Sequence, residues 1–204
     1  GDLMLDSSYF AFDAFWPNSL QKTYNYTYYD YGTYQRYTYN DVDVFLLDAM
    51  TFKTDNVLYG DKQIERLFQE INNTGSTFTI IASPEPFLNA SFNQWETDSK
   101  TNFALDYKTE YEYFLNRLTM SGNKGCILVS TGKNEVTKLS QLTFADKDNK
   151  TVPIMTEFNI SSLSNNQYSL VSIKGSKGGR KLSFETYNQN GNLLYSKSFH
   201  ENDF

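Results

Sequence analysis

Val42-Asp43-Val44-Phe45-Leu46-Leu47 is a β-rich run with little polar alternation. Such a run suits a strand buried on both faces, as in a sheet with covered sides. Asp48 ends it, and a loop follows through Asp55-Asn56. Gln63–Ile71 then places Ile64, Leu67, Phe68 and Ile71 at i, i+3, i+4 and i+7, an amphipathic helix with Asp61 as the expected N-cap. Thr77–Ala82 is a second buried strand, closed by Ser83-Pro84-Glu85-Pro86, since proline cannot continue a ladder. A polar loop over 88–102, ordered around Trp95, leads to a second helix at about Asp106–Met120 with Tyr111, Phe114, Leu115 and Leu118 on one stripe. Gly122–Gly125 closes that helix, and Cys126–Ser130 is the third buried strand. Residues 42–130 therefore read β-α-β-α-β, and short connections of this kind favour parallel strands with right-handed crossovers.

Working outward, residues 1–40 are aromatic and irregular, with eight Tyr between Tyr24 and Tyr39. Tyr24–Tyr28 and Tyr37–Tyr39 alternate like strands, and Asp30-Tyr31-Gly32 reads as the turn between them. This segment reads either as a ribbon covering a sheet edge or as a stacking surface. In the second case Tyr26, Tyr28, Tyr31, Tyr34 and Trp95 are the candidate binding residues, and a glycan is the candidate ligand. After residue 130, Lys138–Phe144, Val152–Phe158, Tyr168–Ile173, Lys181–Tyr187 and Leu193–Phe199 are strand candidates, and Asn190-Gly191 is a type I′ hairpin signal. The expectation is an α/β chain of α+β character, one domain over 1–204. It divides into a Tyr-rich segment (1–40), the β-α-β-α-β part (41–130) and an antiparallel meander (131–204) sharing one mixed sheet.

Composition removes several function classes. The chain has 204 residues with a formal net charge of −6, and no basic run that would suit nucleic acid or an anionic membrane. One Cys, Cys126, allows no intrachain disulfide. One His, His200, excludes HExxH and a two-His metal site. No apolar run approaches the ~20 residues of a membrane span. Gly1-Asp2-Leu3-Met4 lacks the basic start and apolar stretch of a signal peptide. The acidic balance, the many Tyr and Asn and the lone Cys suit a bacterial periplasmic, cell-surface or secreted protein. Asp146-x-Asp148-Asn149 lacks the Gly and Glu of a calcium loop and reads as a hairpin turn. Gly175–Arg180 is glycine-rich and basic, but a strand and not a helix follows it, so it reads as a hairpin tip. Asp48, Ser83, Ser130 and Thr131 lie at the carboxyl ends of the buried strands, where sites in parallel sheets form.

Tyr37-x-Tyr39-x-Asp41-Val42 through Asp48 resembles the central stretch of the PhoD-like alkaline phosphatases, within the calcineurin-like metallophosphoesterases. Tyr59–Phe68, Thr77–Phe87 and Gly125–Leu142 resemble further family stretches in the same order, and the resemblance covers most of residues 35–200. It implies half of a metallophosphatase αββα sandwich, in a family of metal-dependent phosphoric-ester hydrolases. The departures fall on the chemistry. Against the family's "LDTRSYR", Asp48 stays, but Met50 and Lys53 occupy the arginine positions. Against "SGDRH", Lys133 stands on the Asp and Glu135 on the ligand His, and Lys138 replaces a following Glu. Nothing in residues 1–40 matches the family's Asp-x-His and Gly-Asn-His motifs.

The resemblance thus implies a non-catalytic relative or half-domain, with no catalytic residues, no metal and no cofactor, serving binding or assembly. The alternative is the C-terminal part of an active metal-dependent phosphatase or phosphodiesterase whose N-terminal half is absent from this chain. A third reading is a Tyr-rich glycan-binding surface module. As half of a two-sheet fold, the chain is expected to leave one sheet face bare. Either residues 1–40, a homodimer partner or the missing half would then cover it.

Overall fold

The computed structural model describes residues 32–88, 103–121, 126–131, 138–145, 151–160 and 166–204. Its elements in chain order are β1 (Gln35–Tyr39), β2 (Val42–Leu46), α1 (Asp61–Asn72), β3 (Phe78–Ser83), α2 (Phe103–Asp106), α3 (Lys108–Ser121), β4 (Cys126–Thr131), β5 (Lys138–Ala145), β6 (Thr151–Ile160), β7 (Gln167–Lys174), β8 (Lys181–Asn188) and β9 (Leu193–His200). A short 3₁₀ turn, Glu201–Asp203, follows. No helix among the described residues is long and apolar enough to cross a membrane.

β2, β3 and β4 run parallel as neighbours, with Val44 opposite Ile80 and Ile80 opposite Ile127. β1 pairs antiparallel on β2 through a turn in which Asn40 takes φ 54°, a conformation Asn tolerates. The six-stranded sheet is ordered β1-β2-β3-β4-β6-β5. α1 and α3 pack together on one face, where Ile64, Leu67, Phe68, Ile71, Phe114 and Leu118 meet Phe45, Ile81 and Leu128. The amphipathic spacing read from α1 is therefore its buried stripe. Its N-cap is Gly60, at φ 81°, and Asp61 is the first helical residue.

The expected single meander is corrected in two places. β5 does not pair with β4: β6 inserts between them, parallel to β4 and antiparallel to β5. β6 is buried from Met155 to Asn159, so it takes the interior place, and the edge falls to β5. β7, β8 and β9 then leave the sheet and form a separate three-stranded antiparallel sheet. The reason is in their pattern. β8 alternates buried Leu182, Phe184 and Thr186 with less buried Ser183, Glu185 and Tyr187. Strands with one apolar face can cover a sheet but cannot join one buried on both sides.

That small sheet lies on the face expected to be bare. Leu182, Phe184 and Phe199 pack against Phe78, Ile80, Ile127 and Phe158 in a second core. Phe158 stacks on Phe184 with centroids 4.0 Å apart and planes 9° apart. Arg180 joins the layers at one end, donating to the Asp41 carboxylate from Nη2 at 2.6 Å and Nε at 3.1 Å. The Arg180 guanidinium, with the Thr77 hydroxyl, holds the Asp41 carboxyl below its usual range. The chain thus builds helices, mixed sheet and covering sheet from its own residues, and the cover comes from β7–β9.

Candidate functional site

The carboxyl ends of β2, β3, β4 and β6 bring the polar residues together, as the parallel register dictates: Leu46 lies beside Ala82, Ser83 beside Ser130, and Ser130 beside Asn159. The centre of this cluster is Glu157, buried at 0% exposure on the helix side of β6. Its Oε1 accepts from the Phe87 N–H at 2.9 Å and the Ser130 hydroxyl at 2.5 Å, and its Oε2 accepts from the Leu88 N–H at 2.5 Å. Asn159 Nδ2 donates in turn to Ser130 Oγ at 3.0 Å. Beside them the Tyr59 and Ser83 hydroxyls share a hydrogen bond of 2.6 Å, and Ser83 Oγ also bonds both backbone groups of Glu85. Thr131, the exposed last residue of β4, donates its hydroxyl to Pro84 O at 2.9 Å.

Burial raises the Glu157 carboxyl above its usual value, and the bonds from Ser130, Phe87 and Leu88 offset only part of that. Burial also raises the Tyr59 hydroxyl well above its ordinary value. What the cluster does with its carboxylate is hold the backbone of 87–88 against β6. Glu110 does the same elsewhere: from α3 it accepts the N–H groups of Leu58, Tyr59 and Gly60, which fixes the entry to α1. Its carboxyl too is raised by burial.

A folded-state value above the usual glutamate 4.5 means that the folded chain holds the Glu157 proton more tightly than the unfolded one. The Glu157 contribution is then fully present below pH 4.5 and is lost as pH rises through the folded value. Glu157→Gln keeps the shape but points an amide N–H₂ at backbone donors, which costs about 1–3 kcal/mol. In urea unfolding that deficit is expected to be largest in mild acid and to narrow as pH rises. A deficit that widens with pH would mean that the hydrogen bonds outweigh burial at this carboxylate.

Asp48, the retained carboxylate of the resemblance, has a comparable task at the end of β2. It accepts from the Thr33 N–H at 2.7 Å, the Thr33 hydroxyl at 2.9 Å, the Met50 N–H at 2.8 Å and the Thr51 N–H at 3.0 Å. The Thr51 hydroxyl adds a further bond at 2.5 Å. Its own backbone N–H and C=O are taken by the side chain of buried Gln63. Burial pushes the Asp48 carboxyl up, but the bonds from Thr33, Thr51 and Met50 outweigh it and leave the carboxyl below its usual value. Gly32 completes this arrangement at φ 65°, because a Cβ there would stand 2.3 Å from Asp48 Oδ2.

Among the described candidates, Met50 meets Asp48 through its backbone N–H, with its side chain turned to solvent. Met50 is 77% exposed and Lys53 is also exposed. Lys138 opens β5 opposite Asn159. Lys133, Glu135, Tyr26, Tyr28, Tyr31 and Trp95 lie outside the described residues, as does the turn at Asp146–Asn149. Tyr34 is not a surface ring. It is buried against Phe45 with Arg66 over its face at 5.0 Å, and its hydroxyl donates to Glu70 at 2.9 Å. His200 is exposed at the end of β9, on the covering sheet. Burial pushes the Cys126 thiol up to about 12, so it stays a protonated core side chain. Sequence reasoning missed Glu157 as a buried carboxylate. The available signal was a lone Glu inside the apolar run Val152–Phe158, where an unpaired charge needs local donors.

No protein-family model matches the sequence, and no curated protein matches it either. The solved structure of PhoD is similar to this chain with a TM-score of 0.56 over 81% of the chain, at 12% sequence identity. The match takes in 44% of the PhoD chain, so this protein spans less than half the length of its structural neighbour. At that identity the likeness is one of fold, and the described residues form part of a PhoD-like fold.

Proposed function

We propose that this chain is a non-catalytic relative or half-domain of a PhoD-like metallophosphatase, with a binding or assembly role at the cell surface or in the periplasm. The observation that carries this reading is the use made of the carboxylates at the strand ends. Metal-assisted phosphoester hydrolysis needs carboxylates and imidazoles free to fix one or two cations and an activated water. Here Asp48 and Glu157 are engaged by backbone N–H groups and hydroxyls of their own chain. The sequence offers one imidazole in all. Lys133 and Glu135 stand where the resembling family has an Asp and a ligand His, and an ammonium repels a cation.

The expected result is no hydrolysis of p-nitrophenyl phosphate or its bis-ester with zinc, manganese, iron or calcium added. Turnover that copurifies with the chain and disappears on Glu135→Ala would overturn the reading. A second reading, the C-terminal part of an active enzyme, draws on the 44% coverage of PhoD. In that case Glu135→Ala would abolish activity only once the complementary half is supplied.

A further inference from the structure

We propose that β7 is a dimer edge, where a second copy of this chain pairs antiparallel with its own β7. The inference does not depend on whether the chain is catalytic. An edge strand presents unpaired backbone groups, and proteins blunt such edges with short strands, charges or bulges. The other edges of the two sheets carry such devices. β1 has five residues and carries Arg36. β5 has a register shift between Leu142 and Thr143. β9 meets a shift between Thr186 and Tyr187, and it places Lys197 opposite buried Phe184 on the core-facing side.

β7 has none of these before its last residue. It runs Gln-Tyr-Ser-Leu-Val-Ser-Ile-Lys over eight residues, pairs with β8 without a register shift, and carries its only charge at Lys174, the last residue. Among the described residues its one strand neighbour is β8. Val171 lies opposite buried Phe184, so it faces the core side, yet it is 41% exposed. Among the described residues, the covering sheet stops one strand short of closing over its own inward row. On the outward face, Leu170 is 50% exposed and Tyr168, 47% exposed, stacks on Tyr187 beside Leu193.

A second β7 is the occupant that fits. An antiparallel copy keeps the two Lys174 ammoniums at opposite ends of the joint, near the partner's Tyr168 end. It joins the three-stranded sheet to its twin as one six-stranded sheet. For both inward faces to stay on one side, residues of the same face must lie opposite each other, so the two-fold axis passes beside Leu170 or Val171. These are the apolar centre of the strand, and the added strand covers Val171.

Sedimentation of the full chain over a dilution series tests this. The wild type is expected to reach the mass of two chains, and Val171→Lys, an inward charge on the edge, is expected to weaken dimerisation by about tenfold or more. Leu170→Lys is the companion variant, and circular dichroism checks that each is folded. Under a mild oxidant, Leu170→Cys or Val171→Cys should give a disulfide-linked pair, and exposed Met120→Cys should not. A wild type that stays a single chain throughout, or a dimer of unchanged affinity in both lysine variants, overturns the proposal. So does failure of both cysteine variants to cross-link.

Discussion

Phe158→Ala is expected to destabilise the protein by about 3–5 kcal/mol, the cost of emptying a large aromatic site in a core that cannot collapse around it. Phe158 is fully buried at 0% exposure. It stacks on Phe184 at 4.0 Å and meets Phe199 edge-on at 5.9 Å and 74°. In the sheet it lies opposite Val129 on one side and Leu139 on the other. It is therefore a side chain through which the mixed sheet touches both the central strand β8 and the edge strand β9 of its cover. Each flanking layer is a hydrogen-bonded sheet and cannot move inward to fill the hole. Urea unfolding measures the loss, and Tyr168→Ala on the outer face is the control, expected to cost far less. In the double variant with Phe184→Ala, the stacked pair should show a coupling of about 0.5–1.5 kcal/mol. A loss at Phe158 below about 1 kcal/mol would mean that β7–β9 do not pack on β6 in this way.

The fold was legible where periodicity and burial agreed. Val42–Leu47, Thr77–Ala82 and Cys126–Ser130 are apolar on both faces because helices cover one side and the β7–β9 sheet the other. Ile64, Leu67, Phe68 and Ile71 mark the buried face of α1 for the same reason. The partition of the later strands was harder to read, although the pattern of Lys181–Tyr187 already contained it. Period-2 alternation belongs to a strand with one wet face, and such a strand makes a second layer. The place of β6 was not legible, since its burial depends on donors far away in sequence. Glu157 is tolerated in an interior strand only because Phe87, Leu88 and Ser130 converge on it. The same holds for Asp48, whose strand-end position suggests a site but whose partners, Thr33, Met50 and Thr51, show a loop organiser.

Asp43→Ala is the second large loss expected, about 3–5 kcal/mol, because it removes a buried acceptor shared by three hydroxyls and the partly exposed Arg36 guanidinium, and each donor left without a partner costs about 1–3 kcal/mol where it is buried. Asp43 is 0% exposed on β2 and receives Arg36 from β1 at 3.0 Å and 3.3 Å. It also receives the hydroxyls of Thr38 at 2.5 Å, Ser76 at 2.9 Å and Thr74. One carboxylate thereby ties β1, β2 and the connection from α1 to β3 at the amino end of the parallel strands. Burial pushes the Asp43 carboxyl up, but the bonds from Thr38, Thr74, Arg36 and Ser76 outweigh it, so its value falls below the usual 3.8. A depressed folded value means that the unfolded chain binds the proton more readily. The stabilisation is then present above pH 3.8 and is lost as pH falls through the folded value. The gap between wild type and Asp43→Asn is accordingly expected to be widest at neutral pH and to close below pH 3.8. Glu157 runs the other way, with its contribution fading as pH rises above 4.5. The two titrations therefore separate in one pH series: Asp43→Asn alters the acid limb of the stability curve and Glu157→Gln the limb above it. If Asp43→Asn tracked the wild type at every pH, the hydroxyls around Asp43 would not be holding a charge, and the Arg36–Asp43 pair would have to be abandoned as the anchor of β1.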